Sequence, residues 1–216
     1  MNISYSAIKK FLDCPHQWYA QYFLGYKQPY NAAASIGSRV HELIETNGRG
    51  TPLETPLEEH EAQRMYKEIV GDVEQLLVGD VHKEEWVSMP FGSHKILAKI
   101  DVYIKNNNHI RVIDFKTGKW YNEDPLQLKF YSWLLWKNNP KYTNYKAMLY
   151  YLRLNKKYEI ELDKDELKRF DKYIMDVIHR MLMYNPNEPQ FKIGNYCQWC
   201  PYSKECPAIK GGNKNE

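Results

Sequence analysis

The residues with the most chemistry to offer are Asp101 and the run Asp114-Phe115-Lys116. They fall on two segments, Lys95 to Lys105 and His109 to Phe115, whose alternation of apolar and polar residues predicts β-strands, with Asn106-Asn107-Asn108 supplying turn chemistry between them. With a two-residue loop at Asn107-Asn108, the numbers of directly opposed residues sum to 215. Asp101 then faces Asp114, and two carboxylates ~5 Å apart on one face of a sheet repel each other. A cation between them resolves the conflict, and hard divalent ions such as Mg²⁺ and Mn²⁺ are held by carboxylate oxygens. Lys116 lies two residues beyond Asp114 on the same face, while Ile100, Val102, Ile104, Ile113 and Phe115 make the opposite face apolar.

A second set is the cysteines: Cys14 near the start, and Cys197, Cys200 and Cys206 in a C-x2-C-x5-C pattern near the end. Such thiols could form two disulfides, a zinc site or an iron–sulphur cluster, or be unrelated. The chain begins Met1-Asn2-Ile3-Ser4-Tyr5 without a charged and apolar leader, which predicts a reducing, cytoplasmic setting and disfavours disulfides. Structural zinc sites usually pair two short C-x2-C hairpins. The one-plus-three split here fits iron–sulphur ligation better, and Cys-Pro recurs at Cys14-Pro15, Cys200-Pro201 and Cys206-Pro207, as in ferredoxin-type loops. We read a cluster ahead of zinc, and either ahead of four unconnected thiols. A single cofactor would then staple the two ends of the chain together.

Elements must position these groups. Ser4 caps a helix toward Leu12, Pro15 opens a second to Leu24 with Cys14 at the joint, and Ala32 to Thr46 is a third, stopped by Asn47-Gly48. A long amphipathic helix, Leu57 to Val78, precedes a strand at Val81 to Met89 and the two strands above. Asp124-Pro125 starts a helix through Trp136, Lys146 to Leu154 and Tyr158 to Leu162 form a strand pair, and Asp163 caps a helix to about Tyr184. This order predicts an α/β fold with a mixed central sheet flanked by helices. A length of 216 residues predicts a single domain over residues 1–210, with 14–24 and 190–208 forming the cluster-binding part and 211–216 a disordered tail. No stretch is apolar enough to span a bilayer, and a formal charge of +3 asks any polyanion partner to be held by a local patch. Eighteen tyrosines and six tryptophans offer faces for unpaired bases, Trp18, Tyr19, Tyr22, Trp120 and Tyr121 among them, although core packing explains most aromatics.

An Asp on one strand and Asp-x-Lys at the end of the next resembles the core of the PD-(D/E)xK nuclease superfamily, with its restriction-endonuclease-like fold. Gly37-Ser38-Arg39-Val40-His41-Glu42-Leu43-Ile44-Glu45 resembles the G-x3-H-x3-E helix of the RecB-like branch, and Gln127-Leu128-Lys129-Phe130-Tyr131 its Q-x3-Y helix. The cysteine pattern is similar to that of iron–sulphur members of the branch, such as CRISPR-associated protein four and the AddB nuclease domain. Many members carry Glu where this chain has Asp114, a shorter carboxylate. The resemblance implies a [4Fe–4S] cluster on Cys14, Cys197, Cys200 and Cys206. It also implies Mg²⁺ or Mn²⁺ held by His41, Asp101, Asp114 and the Phe115 carbonyl, with Lys116, Gln127 and Tyr131 as further catalytic residues. Glu45 is either support for this site or a solvated helix face, and His16, His60, His82, His94, His109 and His179 are structural or surface residues.

The expected activity is metal-dependent exonucleolytic hydrolysis of DNA, on single strands or ends, in recombination and repair, phage DNA metabolism or CRISPR adaptation. DNA is the expected partner, with a helicase, recombinase or CRISPR integrase alongside, in a bacterial, archaeal or phage-infected cell. The competing readings are a non-catalytic nucleic-acid-binding iron–sulphur module and a zinc-stapled structural protein. Oligomeric state is open.

Overall fold

The computed structural model describes residues 1–27, 32–118 and 125–210. Trp120, Tyr121, Asp124 and the tail lie outside the described residues. The backbone divides into two compact units, Met1–Tyr30 with Lys172–Glu216, and Asn31–Asp171.

In the unit of the chain ends, strand β1 (Asn2–Ile3) leads into helix α1 (Tyr5–Asp13), where Ser4 Oγ accepts the Ala7 N–H at 3.3 Å. Helix α2 (Pro15–Tyr22) follows with Cys14 between the two, and the short helix α7 (Pro207–Lys210) comes last. Trp18 does not serve as a stacking face. It is buried, with Phe11, Phe23 and Tyr184 edge-on around it at 5.3–5.8 Å, because α2 turns this residue inward as the anchor of an aromatic core.

The other unit contains helices α3 (Ala32–Glu45) and α4 (Pro56–Leu76), strands β2 (Asp80–Phe91), β3 (His94–Lys105) and β4 (His109–Lys116), helix α5 (Pro125–Asn138), and strands β5 (Asn144–Tyr151) and β6 (Lys156–Asp163). Helix α6 (Lys164–Leu182) starts there. Asp163 Oδ1 accepts the Asp165 and Glu166 N–H groups, and Glu166 reaches back to the Asp163 N–H, a reciprocal cap that fixes its first turn. Sheet order is β2-β3-β4-β5-β6, antiparallel except for the parallel pair β4–β5, so the sheet is mixed as expected. The stretch expected to be strand as far as Leu154 ends at Tyr151, where a 3-10 turn over Leu152–Leu154 and Asn155 in the left-handed region (φ 45°) reverse the chain.

One face of the sheet packs on α3 and α4: Val102, Ile104, Ile113 and Phe115 join Val40, Leu43, Met65 and Ile69 in one core cluster. The other face is apolar away from the carboxylates, with Tyr103, Ile110 and Val112 also buried. Arg39 of α3 is buried and forks onto Glu59, Nε to Oε2 at 2.9 Å and Nη2 to Oε1 at 3.0 Å. It also donates to Glu42 and to the Arg49 carbonyl. Its guanidinium holds Glu59 down at about 2. Arg39→Ala leaves these carboxylates facing a void, and a loss of about 3 kcal/mol or more is expected in denaturant unfolding. Glu59 has its pKa lowered by folding, so its contribution is present at neutral pH and disappears as pH falls below its unfolded value of about 4.5 toward 2.

Candidate active site

Paired residues of β3 and β4 run from Val102↔Ile113 to Lys105↔Ile110, the expected register, with the Asn106 N–H bonded to the His109 carbonyl across the turn. Asp101 and Asp114 lie one step beyond the last pair. There the Asp101 carboxylate substitutes for the ladder, Oδ2 accepting the Phe115 N–H at 2.8 Å.

On its other side β3 pairs with β2. These partners run from Phe91↔His94 to Asp80↔Lys105, and the interval between Lys83↔Val102 and Glu85↔Ile100 sets Glu84 beside Asp101. Glu84 has φ 50°, a left-handed conformation rare for a side chain of this length and costing ~1–3 kcal/mol. Its carboxylate is bonded to Lys99 Nζ at 2.7 Å and lies 3.4 Å from His41 Nδ1. Sequence reasoning missed Glu84. The signal was available: a hairpin turning at Gly92-Ser93 makes opposed numbers sum to 185, which matches 84 with 101.

His41 projects from α3, which can come this close to the sheet because Gly37 has no side chain. A Cβ there would lie 2.7 Å from Thr117 Oγ1. Imidazole Nε2 is 3.0 Å from the Phe115 carbonyl oxygen and Nδ1 is 3.4 Å from both Asp101 and Glu84. Burial alone would lower its pKa, but the two carboxylates outweigh that and raise it to about 10. This balance favours the imidazolium form, whose N–H groups would point at the same oxygens that suit a cation.

Asp114 is buried. Desolvation and the Asp101 charge push its pKa up, against the pull of Lys116 and His41. Helix α5 completes its surroundings through Gln127, whose Nε2 donates to Asp114 Oδ1 at 2.7 Å and to the Tyr131 hydroxyl at 2.8 Å, while Oε1 accepts from Lys116 Nζ at 2.7 Å. The amide orientation that satisfies both the carboxylate and the ammonium is the one present. Lys116 Nζ lies 2.6 Å from Asp114 Oδ2. That buried oxygen has no well-aligned hydrogen-bond donor, which leaves lone-pair capacity unused.

All these groups line one cavity of about 590 Å³, with Gly37, Glu42 and Glu45 also on its wall. Glu45 is exposed. Among the described residues, one group of three or more His, Cys, Asp or Glu side chains has ligand atoms within 4.8 Å of one another: His41, Glu84 and Asp101. The expected ligand set of His41, Asp101, Asp114 and the Phe115 carbonyl is thus brought to one cavity with Glu84 added. The donors fit a divalent cation, being hard oxygens plus one imidazole, with a carboxylate pair whose mutual repulsion needs a positive charge.

In the unit of the chain ends, Cys14, Cys197, Cys200 and Cys206 line one small apolar cavity with Phe191, Ile193 and Ile209. His16 sits on its wall, its N–H bonded to the Gln190 carbonyl at 3.1 Å and its Nδ1 2.8 Å from the Tyr184 hydroxyl, which joins the two ends of the chain without any cofactor. The four thiols are free, and no three of their sulphurs gather within 4.8 Å. Burial and the neighbouring thiols raise the pKa of Cys200.

Residues 2–207 match the model of the PD-(D/E)XK nuclease superfamily, and the chain belongs to that family. Two solved structures share its fold. The protein SSO0001 is 18% identical with a TM-score of 0.56, covering 96% of this chain and 87% of that one. A candidate exonuclease from Eubacterium rectale is 13% identical with a TM-score of 0.60, covering 100% of this chain and 89% of that one. No curated protein matches the chain in sequence. Among the described residues, no helix is long and apolar enough to cross a membrane.

Proposed function

We propose that this chain is a divalent-metal-dependent DNA exonuclease acting on single strands or ends. The observation that carries the reading is the convergence of His41, Glu84, Asp101, Asp114 and Lys116 on one cavity, within a fold of the nuclease superfamily. His41, Glu84, Asp101, Asp114 and the Phe115 carbonyl would hold Mg²⁺ or Mn²⁺. Such ions would lower the pKa of a bound water and offset charge on the scissile phosphate. Lys116, fixed by Asp114 and Gln127, places an ammonium where charge develops on the phosphorus oxygens or where the attacking water sits. Gln127 holds Asp114 and Lys116 in register, and Tyr131 holds Gln127.

For the chain ends we propose a [4Fe–4S] cluster on Cys14, Cys197, Cys200 and Cys206. The reading rests on the one-plus-three cysteine pattern and on the four thiols lining one small apolar cavity. Hydrolysis consumes no electrons, so its role is to fasten the two ends of one RecB-like nuclease domain. A cytoplasmic setting in recombination, phage DNA metabolism or CRISPR adaptation, beside a helicase, recombinase or integrase, is the corresponding biology.

The direct test is digestion of end-labelled single and double strands with Mg²⁺, Mn²⁺ or chelator. Metal-dependent release of nucleotides from ends supports the reading; undigested DNA in every metal refutes it. A pH dependence follows as well. His41 carries its proton up to about 10 without metal, and that charge stabilises the fold fully below pH 6.5 and less as pH rises toward 10. A metal must displace this proton, so Mn²⁺ affinity is expected to climb between pH 7 and 10 with proton release. Titration calorimetry in two buffers of different ionisation enthalpy reads that release, and equal heats in both buffers would contradict it.

A further inference from the structure

On the β2–β3 ribbon, outside the metal centre, Trp86 is 64% exposed. It lies two residues after Glu84 on the same strand, roughly 7 Å away, and residues at that spacing share a face. Its cross-strand partner is Lys99, which lines the cavity and bonds Glu84. Lys95 is also exposed and follows Lys99 on that face toward the turn at Gly92. The reverse face of the ribbon is buried through Val87, Ile96, Ala98 and Ile100. Among the described residues β2 pairs with β3 alone, so this indole stands beside an open sheet edge. An aromatic plane and two ammonium groups thus lead away from Asp101 along one side of the ribbon.

We propose that this face is a track for an unpaired DNA strand, with a base stacked on Trp86 and the backbone phosphates next to Lys99 and Lys95. Every base has a π-face, so such contacts are tolerant of sequence. A duplex keeps its base faces inside the stack, so Trp86 gives the site a preference for single strands. This inference rests on the nuclease reading and assigns residues outside the metal centre to the binding of its single-stranded substrate.

The test uses the full chain and a fluorescent oligo(dT), with anisotropy in chelator for binding and Mn²⁺ for cleavage. Stacking is worth about 1–3 kcal/mol per base, so Trp86→Ala is expected to weaken oligo(dT) binding about 5- to 150-fold and to raise KM with kcat unchanged. Trp86→Phe restores most of the affinity. Lys95→Ala lowers the slope of log affinity against log salt by about 0.7. Circular dichroism and melting of the surface variants should match the parent. If the parent digests single strands and Trp86→Ala binds and digests them equally well, the track is refuted while the nuclease reading stands. If instead Trp86→Ala dissociates an oligomer in sedimentation without changing DNA affinity, the indole serves a protein interface and the track is again refuted. A parent that cleaves no DNA refutes the nuclease reading itself, whereas the track is still judged by the binding arm.

Discussion

Lys116→Ala is expected to lower single-turnover DNA cleavage about 10²- to 10³-fold, the cost of removing one fixed charge from a developing oxyanion. Its ammonium lies 2.6 Å from Asp114 Oδ2 and 2.7 Å from Gln127 Oε1, so it is held in place before substrate arrives. Removing it also strips the buried Asp114 of its nearest cation, which drives that carboxyl further toward its protonated form. The comparison is therefore made at saturating Mn²⁺ and across a range of pH, so that a shifted Asp114 titration is told apart from a charge lost at the reacting phosphate. DNA binding in chelator should be nearly unchanged. Cleavage by the alanine variant at the parental rate would show that the lysine has no part in the chemistry.

The second large effect concerns the chain ends. Cys197→Ala, purified without oxygen, is expected to lose brown colour and the absorbance near ~400 nm, and to melt ~10 °C or more below the parent. That shift corresponds to about 3–5 kcal/mol for a cross-link between distant segments in a chain of this size. His16 with Gln190 and Tyr184 supplies a second fastening, so the variant is expected to fold, less stably. Residual activity at low temperature should survive, because no cysteine lines the carboxylate cavity. A colourless parent with stoichiometric zinc, or a variant with the parental melting temperature, would refute the cluster and its role.

Much of this was readable from the residues, and the limits have physical causes. The turn at Asn107-Asn108 set the β3–β4 register, and a period of two then assigned every face, which is why the neighbourhood of Asp101 and Asp114 was predictable. The same arithmetic applied to Gly92-Ser93 would have found Glu84, but two adjacent glutamates on an edge strand look like ordinary solvent-facing residues. No local pattern reports that one of them adopts φ 50° and turns inward. Helical spacing put Gln127 and Tyr131 on one face, yet the bridge from Gln127 to Asp114 and Lys116 exists only through the packing of α5 on the sheet. The Arg39–Glu59 fork is likewise tertiary, joining two helices across the intervening loop. Trp18 misled because a stacking face and a core anchor look alike in sequence, and burial decides between them.

The most direct test is anomalous diffraction at the manganese edge from crystals grown with Mn²⁺, since it locates the cation instead of inferring it from activity. A peak within bonding distance of the Asp101 and Asp114 carboxylates, with His41 or Glu84 completing the ligands, is the expected result. A cavity without a peak at saturating Mn²⁺, in crystals of a protein that still digests DNA in chelator, would contradict it.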